Sequence, residues 1–200
     1  MNKHPIKIGV TGSIGMGKTT VSNEIGKYNF PVWNADNVIH FLYKKGNRGY
    51  DIIQKIAPKV VTNDYVDRTM LSNLILRNPS LLPKIKNQIY PLLDINRSNF
   101  IKINNDKKLL VFDIPLLFEN SCEKWLDFVI VVTAPASIQK KRVLSRKFMT
   151  EDKFQYLLSK QQANEEKVNR GDFVLDTNVT FPNLTIKVKD IIESILKRDD

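Results

Sequence analysis

Five short apolar runs punctuate this chain of 200 residues, and helical spacing fills most of the intervals between them. Residues 6–11 read as a buried strand, followed over 20–28 by apolar Val21, Ile25 and Tyr28 at helical spacing. Further strands are expected at 30–34, 109–113, 128–133 and 172–176. The run Phe128-Val129-Ile130-Val131-Val132-Thr133 is nearly all apolar and β-branched, as a strand buried on both faces requires. A last helix over about 182–198 carries Leu184, Val188, Ile191, Ile192 and Ile195 on one face. Strand alternating with helix predicts an α/β fold in three α/β/α layers around a five-stranded parallel sheet.

Two intervals are too long to be plain crossovers. The first, 37–106, is about seventy residues of helical periodicity with no convincing strand. It reads as a helical insertion above the carboxyl edge of the sheet, where open α/β folds bind ligands, and so as an acceptor-substrate domain. The second, 137–168, is basic and helical and reads as a lid. The nucleotide-binding core is then 1–36 with 107–136 and 169–200.

The chemistry begins at Gly12-Ser13-Ile14-Gly15-Met16-Gly17-Lys18-Thr19, which fits G-x-x-x-x-G-K-[ST]. Strand, glycine-rich loop and helix is the context in which that pattern works. Its glycines let successive N–H groups curl around an anion at a helix N-terminus. Lys18 would reach the β- and γ-phosphates of a nucleoside triphosphate, and the Thr19 hydroxyl would ligate Mg²⁺.

Composition narrows the setting. A hydrophobic content of 42% with 26% charged residues is ordinary for a globular chain. No apolar run approaches the roughly 20 residues that span a bilayer, and the N-terminus lacks a signal-peptide apolar region. One cysteine, Cys122, allows no intrachain disulfide and no cysteine metal cluster, and a cytoplasmic location is expected. His4 and His40 are isolated, and Trp33 and Trp125 read as packing residues. The net charge of +10 fits phosphate-rich ligands on top of a lysine-rich habit. Its densest patch, Lys140-Lys141-Arg142 with Arg146-Lys147, lacks the interleaved aromatics of a single-strand platform, so neither nucleic acid nor membrane is expected as a partner.

Several charged residues carry paired readings. Asp36, directly after the second strand, is either a base that orients an attacking hydroxyl or the N-cap of a helix beginning near Asn37. Asp113, closing the third strand, is either a carboxylate bound to Mg²⁺ through water or a structural strand end. Arg142 and Arg146, four apart, would share one helix face, either to meet transferring phosphates or as a solvated basic surface.

Together these residues resemble the dephospho-CoA kinase family over nearly the whole chain. The resemblance rests on residues 11–20, on Ala35-Asp36, on Asp67-Arg68-Thr69-Met70-Leu71, and on Pro115-Leu116-Leu117-Phe118-Glu119, its most family-specific stretch. Arg142, Arg146, Gln161 and Asp172-Phe173-Val174-Leu175-Asp176-Thr177-Asn178 complete it. It implies a phosphate-loop kinase fold and transfer of the ATP γ-phosphate, with Mg²⁺, to the ribose 3′-hydroxyl of dephospho-CoA. It implies catalytic roles for Asp36, Lys18, Arg142 and Arg146, and nucleotide contacts from Gly12, Ser13, Ile14, Gly15, Met16, Gly17, Lys18, Thr19, Thr20 and Asn178. Acceptor contacts would come from Asp36, Arg68, Pro115, Leu116, Leu117, Glu119 and Gln161, and metal contacts from Thr19 and Asp113. Asn34 stands where the family usually has Asp, Gly171 where Ala is common, and Tyr90-Pro91 where it commonly has His-Pro, so that histidine's contact is not carried over. Rival readings are a nucleoside monophosphate kinase and a nucleic-acid-binding ATPase. A GTPase switch is disfavoured, since no Asp-x-x-Gly follows the third strand and Asn-Lys-x-Asp is missing. The oligomeric state stays open.

Overall fold

The protein is described by a computed structural model over residues 4–199. Its five strands are β1 (Ile6–Thr11), β2 (Val32–Asn34), β3 (Leu109–Asp113), β4 (Phe128–Thr133) and β5 (Phe173–Asp176). They form one parallel sheet in the order β2-β3-β1-β4-β5. Placing β1 between β3 and β4 buries it except at half-buried Lys7, with Ile8 facing Val111 on one neighbour and Phe128 on the other. β2 is shorter than the expected 30–34 because Pro31 has no N–H to donate. Its carbonyl still accepts from Val111 N at 2.9 Å, which ties the segment to the sheet before the strand begins.

The chain divides into two compact units, with Asn34–Ile103 forming one and the segments up to Trp33 and from Asn104 forming the other. The sheet unit holds α1 (Lys18–Gly26), α6 (Ala136–Leu144), α7 (Glu151–Ser159), α8 (Asn164–Arg170) and α9 (Phe181–Asp199). One core joins Ile8, Val10, Val111, Ile130 and Val132 of the sheet to Val21 and Ile25 of α1 and to Leu184, Val188, Ile192 and Ile195 of α9. Tyr28 belongs to no helix. α1 stops at Gly26, and the chain turns through Asn29 in the left-handed region at φ 62°, leaving Tyr28 exposed. Beyond the core cluster, Phe112 meets Trp125 edge-on at 4.9 Å and Trp33 at 6.0 Å, so both tryptophans are packing residues of this unit.

The second unit holds α2 (Ala35–Leu42), α3 (Arg48–Ile56), α4 (Arg68–Arg77) and α5 (Leu81–Ile103). Its own core gathers Leu42, Tyr43, Tyr50, Ile53, Leu71, Ile85 and Ile89. Apart from isolated bridges at Lys44 with Tyr65 and Val61 with Val66, its described residues are helical or irregular. Among the described residues, no helix is long and apolar enough to cross a membrane.

Candidate active site

The glycine-rich loop leaves β1 at Thr11 and enters α1 at Lys18. Gly17 is the helix N-cap at φ 90°, a conformation costly for any other residue, and it leaves α1 without a side-chain cap or an acidic first turn. The first N–H groups of α1 are therefore not claimed by a side chain of the cap, and the helix dipole favours an anion there. Gly15, at φ 81°, lies against α6: a Cβ would sit 2.5 Å from Val143 Cγ2 and 3.1 Å from the Gln139 carbonyl oxygen. The Lys18 ammonium is ion-paired with Asp113, which is buried at the carboxyl end of β3. Thr19 is exposed in the first turn of α1.

The rest of the sheet unit grips this loop by its backbone. Ile14 N–H donates to Gln161 Oε1 at 3.0 Å, and Gln139 Nε2 donates to the Ile14 carbonyl at 2.8 Å. The Thr177 hydroxyl donates to the Met16 carbonyl at 2.9 Å and accepts from Arg142 Nη1 at 2.8 Å. Arg142 Nη2 donates to the Thr177 carbonyl at 2.9 Å, so both ends of that guanidinium hold one residue. Arg142 is thus a strut beneath the loop in this structure.

Arg146 differs from its expected placement. α6 ends at Leu144, and the Ser145 hydroxyl donates to the Arg142 carbonyl at 3.0 Å while the chain turns through Phe148 at φ 61°. Arg142 and Arg146 therefore do not share a helix face. Arg146 is exposed in the turn that follows.

The Pro115–Glu119 stretch is also corrected in part. The Leu117 side chain is wholly buried, and a Cβ at Gly9 would lie 2.6 Å from it, so it packs against β1 and offers a ligand no side-chain surface. Pro115 and Leu116 are half-buried, and the Pro115 carbonyl accepts from the Thr11 hydroxyl at 3.4 Å. Glu119 Oε1 lies 2.8 Å from the ammonium of fully buried Lys167 and accepts from Gln162 N at 2.9 Å. Next to it the Arg170 guanidinium stacks on Phe118 at 4.4 Å and bonds Gln162 and Glu123 at 3.0 and 2.6 Å. This stretch anchors α8 and the segment carrying Gln161. Asn178 is exposed just past Thr177, with its N–H donating to Asp176 Oδ1 at 2.8 Å.

In the helical unit, the N-cap of α2 is Asn34, whose Oδ1 accepts from Asn37 N at 2.8 Å. Asp36 lies inside the first turn, so the capping alternative for Asp36 is overturned: the helix starts two residues earlier than expected. Its exposed carboxylate lies 3.9 Å from the Arg68 guanidinium. Arg68 opens α4, which is capped by Asp67 through Met70 N at 2.9 Å. Burial pushes the Tyr43 hydroxyl up to about 12, with the Arg68 charge opposing and Tyr90 reinforcing the rise.

The phosphate loop and Asp36 were legible as motifs. Gln139 and Thr177 were not singled out for chemistry. The one available signal was that Gln139 shares a buried stripe with Val143, one turn on, where a polar side chain demands a partner.

With this geometry in view, comparison with known proteins is decisive. A family model described as Dephospho-CoA kinase matches residues 6–183. The chain belongs to the dephospho-CoA kinase family. A dephospho-CoA kinase from Bartonella quintana is 38% identical over 95% of this chain and 98% of its own length. One from Ruegeria pomeroyi is likewise 38% identical, over 94% of this chain and 95% of its own. Among solved structures, a Thermus thermophilus protein, TT1252, shares 27% identity and a TM-score of 0.80 over 96% of this chain and 98% of its own. A Campylobacter jejuni dephospho-CoA kinase, at 22% identity and TM-score 0.70 over 97% and 98%, shows the shared fold.

Proposed function

We infer that this protein phosphorylates the ribose 3′-hydroxyl of dephospho-CoA with ATP, completing coenzyme A. The observation that carries this reading is a phosphate loop built on β1 and α1 within a chain matched by the family model over residues 6–183. It is favoured over the nucleoside monophosphate kinase and nucleic-acid ATPase readings because the relatives match across nearly their whole length.

In the proposed mechanism the N–H groups of Gly15 and of residues 17–20, with the α1 dipole, receive the phosphates. Lys18 transfers its charge from Asp113 to the β- and γ-phosphates, where it offsets the charge that develops as the γ-phosphoryl departs. Asp36 accepts the proton of the attacking hydroxyl and orients it, while Arg68 holds the carboxylate. Arg146, from the turn after α6, would offer its charge to the transferring group.

Mg²⁺ fits the donor set. The Thr19 hydroxyl and Asp113 carboxylate are hard oxygen donors, and no group of three His, Cys, Asp or Glu forms a metal cage among the described residues. Few protein ligands plus substrate phosphates is the way Mg²⁺ is usually held. When bound it would neutralise phosphate charge. A cytoplasmic setting accords with a single cysteine and the absence of a membrane-length apolar helix among the described residues.

A coupled assay of ADP release tests the reading. Release should depend on dephospho-CoA, and the product should carry a new 3′-phosphate. ADP release stimulated by AMP or by single-stranded DNA, and not by dephospho-CoA, would replace the assignment.

A further inference from the structure

We propose that Gln139 and Gln161 are positioning residues that set the phosphate loop for ATP by holding the Ile14 peptide from both sides. The inference rests on the phosphate-loop assignment above and adds to it a polarity for each glutamine. Gln139 serves only as a donor, to the Ile14 carbonyl at 2.8 Å, and Gln161 only as an acceptor, from the Ile14 N–H at 3.0 Å. These partners fix which carboxamide atom faces the loop, because a carbonyl can accept only from the carboxamide NH2 and an N–H can donate only to its oxygen.

Both glutamines are themselves held. Gln139 is 6% exposed on α6, and its own carbonyl oxygen is where a Cβ at Gly15 would press at 3.1 Å. Gln161 N–H donates to the Leu158 carbonyl at 3.0 Å, and the next residue is pinned through Gln162 N–H to Glu119 Oε1 at 2.9 Å. Glu119 is held in turn by the fully buried Lys167 ammonium. A chain of bonds therefore runs from Glu119 after β3, braced by Lys167 of α8, through Gln162 and Gln161 to the loop peptide one residue before Gly15. The Ile14 plane fixes where Gly15 begins, and the Gly15 N–H opens the run that would receive phosphate, while the Met16 N–H turns back to the Ser13 carbonyl at 3.1 Å.

The polarity makes the test sharp. Gln161→Glu keeps an oxygen that accepts the Ile14 N–H. Gln139→Glu loses the donor and sets a carboxylate against a carbonyl. Both variants add one negative charge beside the same peptide, so charge repulsion with ATP is common to the two, and their difference reports the direction of the bonds. ATP KM should rise about 10-fold more in Gln139→Glu than in Gln161→Glu, with dephospho-CoA KM unchanged in Gln139→Glu, whose side chain carries no acceptor role. Should buried Gln139→Glu fail to fold, Gln139→Met and Gln161→Met keep the shape and drop both bonds. Each should raise ATP KM about 3- to 10-fold, at unchanged dephospho-CoA KM for Gln139→Met. Equal effects of the two Glu variants, or folded Met variants with wild-type ATP KM, would overturn the proposal. Lys18→Ala, assayed alongside, separates the two layers. If it leaves ATP affinity and turnover intact, the phosphate-loop assignment itself fails; if it abolishes them while the glutamine pair shows no asymmetry, only the positioning role falls.

Discussion

At the scale of single residues, Asp36 separates catalysis from helix capping. Asn34 already caps α2, so Asp36→Asn leaves the cap untouched and loses only a favourable first-turn charge and its exposed pairing with Arg68. Both losses are small for solvent-exposed groups, well under about 1 kcal/mol. Turnover should nonetheless fall roughly 10²- to 10⁴-fold, the range for a positioned base, with melting temperature and ATP affinity held. Retained turnover would move the base elsewhere, with Asp113 next in line. The two arginines should separate in the same way. Arg142 is bonded twice to Thr177 beneath the loop, so Arg142→Ala should raise ATP KM and lower the melting temperature. Arg146 is exposed outside α6, so Arg146→Ala should leave stability alone and, if it acts as an arginine finger does, cost on the order of 10³-fold in kcat. Steady-state kinetics with thermal melts reads both; a change confined to KM for Arg146→Ala would mean ground-state binding.

At the scale of elements, α1 and α9 are joined by a buried carboxylate. Glu24 accepts from the Thr185 hydroxyl at 2.8 Å and meets Lys27 at 2.6 Å. Those partners hold its carboxyl below the ordinary value of 4.5, with Lys27 first and burial opposing. A depressed folded-state value means the stabilisation is present above the unfolded value and is lost as pH falls through the folded one. Below about pH 4.5 the melting temperature should therefore drop, and Glu24→Gln should flatten that drop while costing about 1 kcal/mol at neutral pH. An unchanged acid limb in the variant would place the titration elsewhere. Elements of this kind also mark how far sequence reading reaches. β3, β4 and α9 were legible because continuous apolar runs and a helical stripe announce buried strands and a packed helix. The end of α1 was misread because Tyr28 continues the apolar spacing while Asn29 turns the backbone, and spacing carries no record of φ. Arg146 was misread for a related reason: four residues from Arg142 fits a helix, yet Ser145 is the C-cap of α6 and the Arg146 N–H bonds only three residues back, to Val143, at 3.1 Å. The phosphate loop could be read since its glycines and lysine are local in sequence. The props beneath it, Gln139, Gln161 and Thr177, are contributed by residues 125 to 161 positions away, and their bonds exist only in the fold.

At the scale of the molecule, the two units have separate cores, and both tryptophans lie in the sheet unit with the phosphate loop. Tryptophan fluorescence therefore follows the unfolding of that unit, whereas helical circular dichroism follows both. A ligand that binds only the folded unit stabilises it by mass action, by about 2.7 kcal/mol at one hundred times its Kd. For a chain of this size each kcal/mol moves the midpoint by about 2–4 °C, so saturating Mg-ATP should raise the fluorescence-monitored Tm by about 5–10 °C. On the proposed mechanism, Lys18→Ala should remove most of that shift, because the ammonium that would exchange Asp113 for phosphate is gone. The unliganded midpoint of the variant should fall as well, since the buried Asp113 carboxylate loses its ion-pair partner. The two effects are distinguishable in one titration: the first is the dependence on ATP concentration, the second the intercept without ATP. A variant that melts lower yet shifts with ATP as the wild type does would show that Lys18 serves the fold through Asp113 and that the phosphates are held by the backbone of the loop alone.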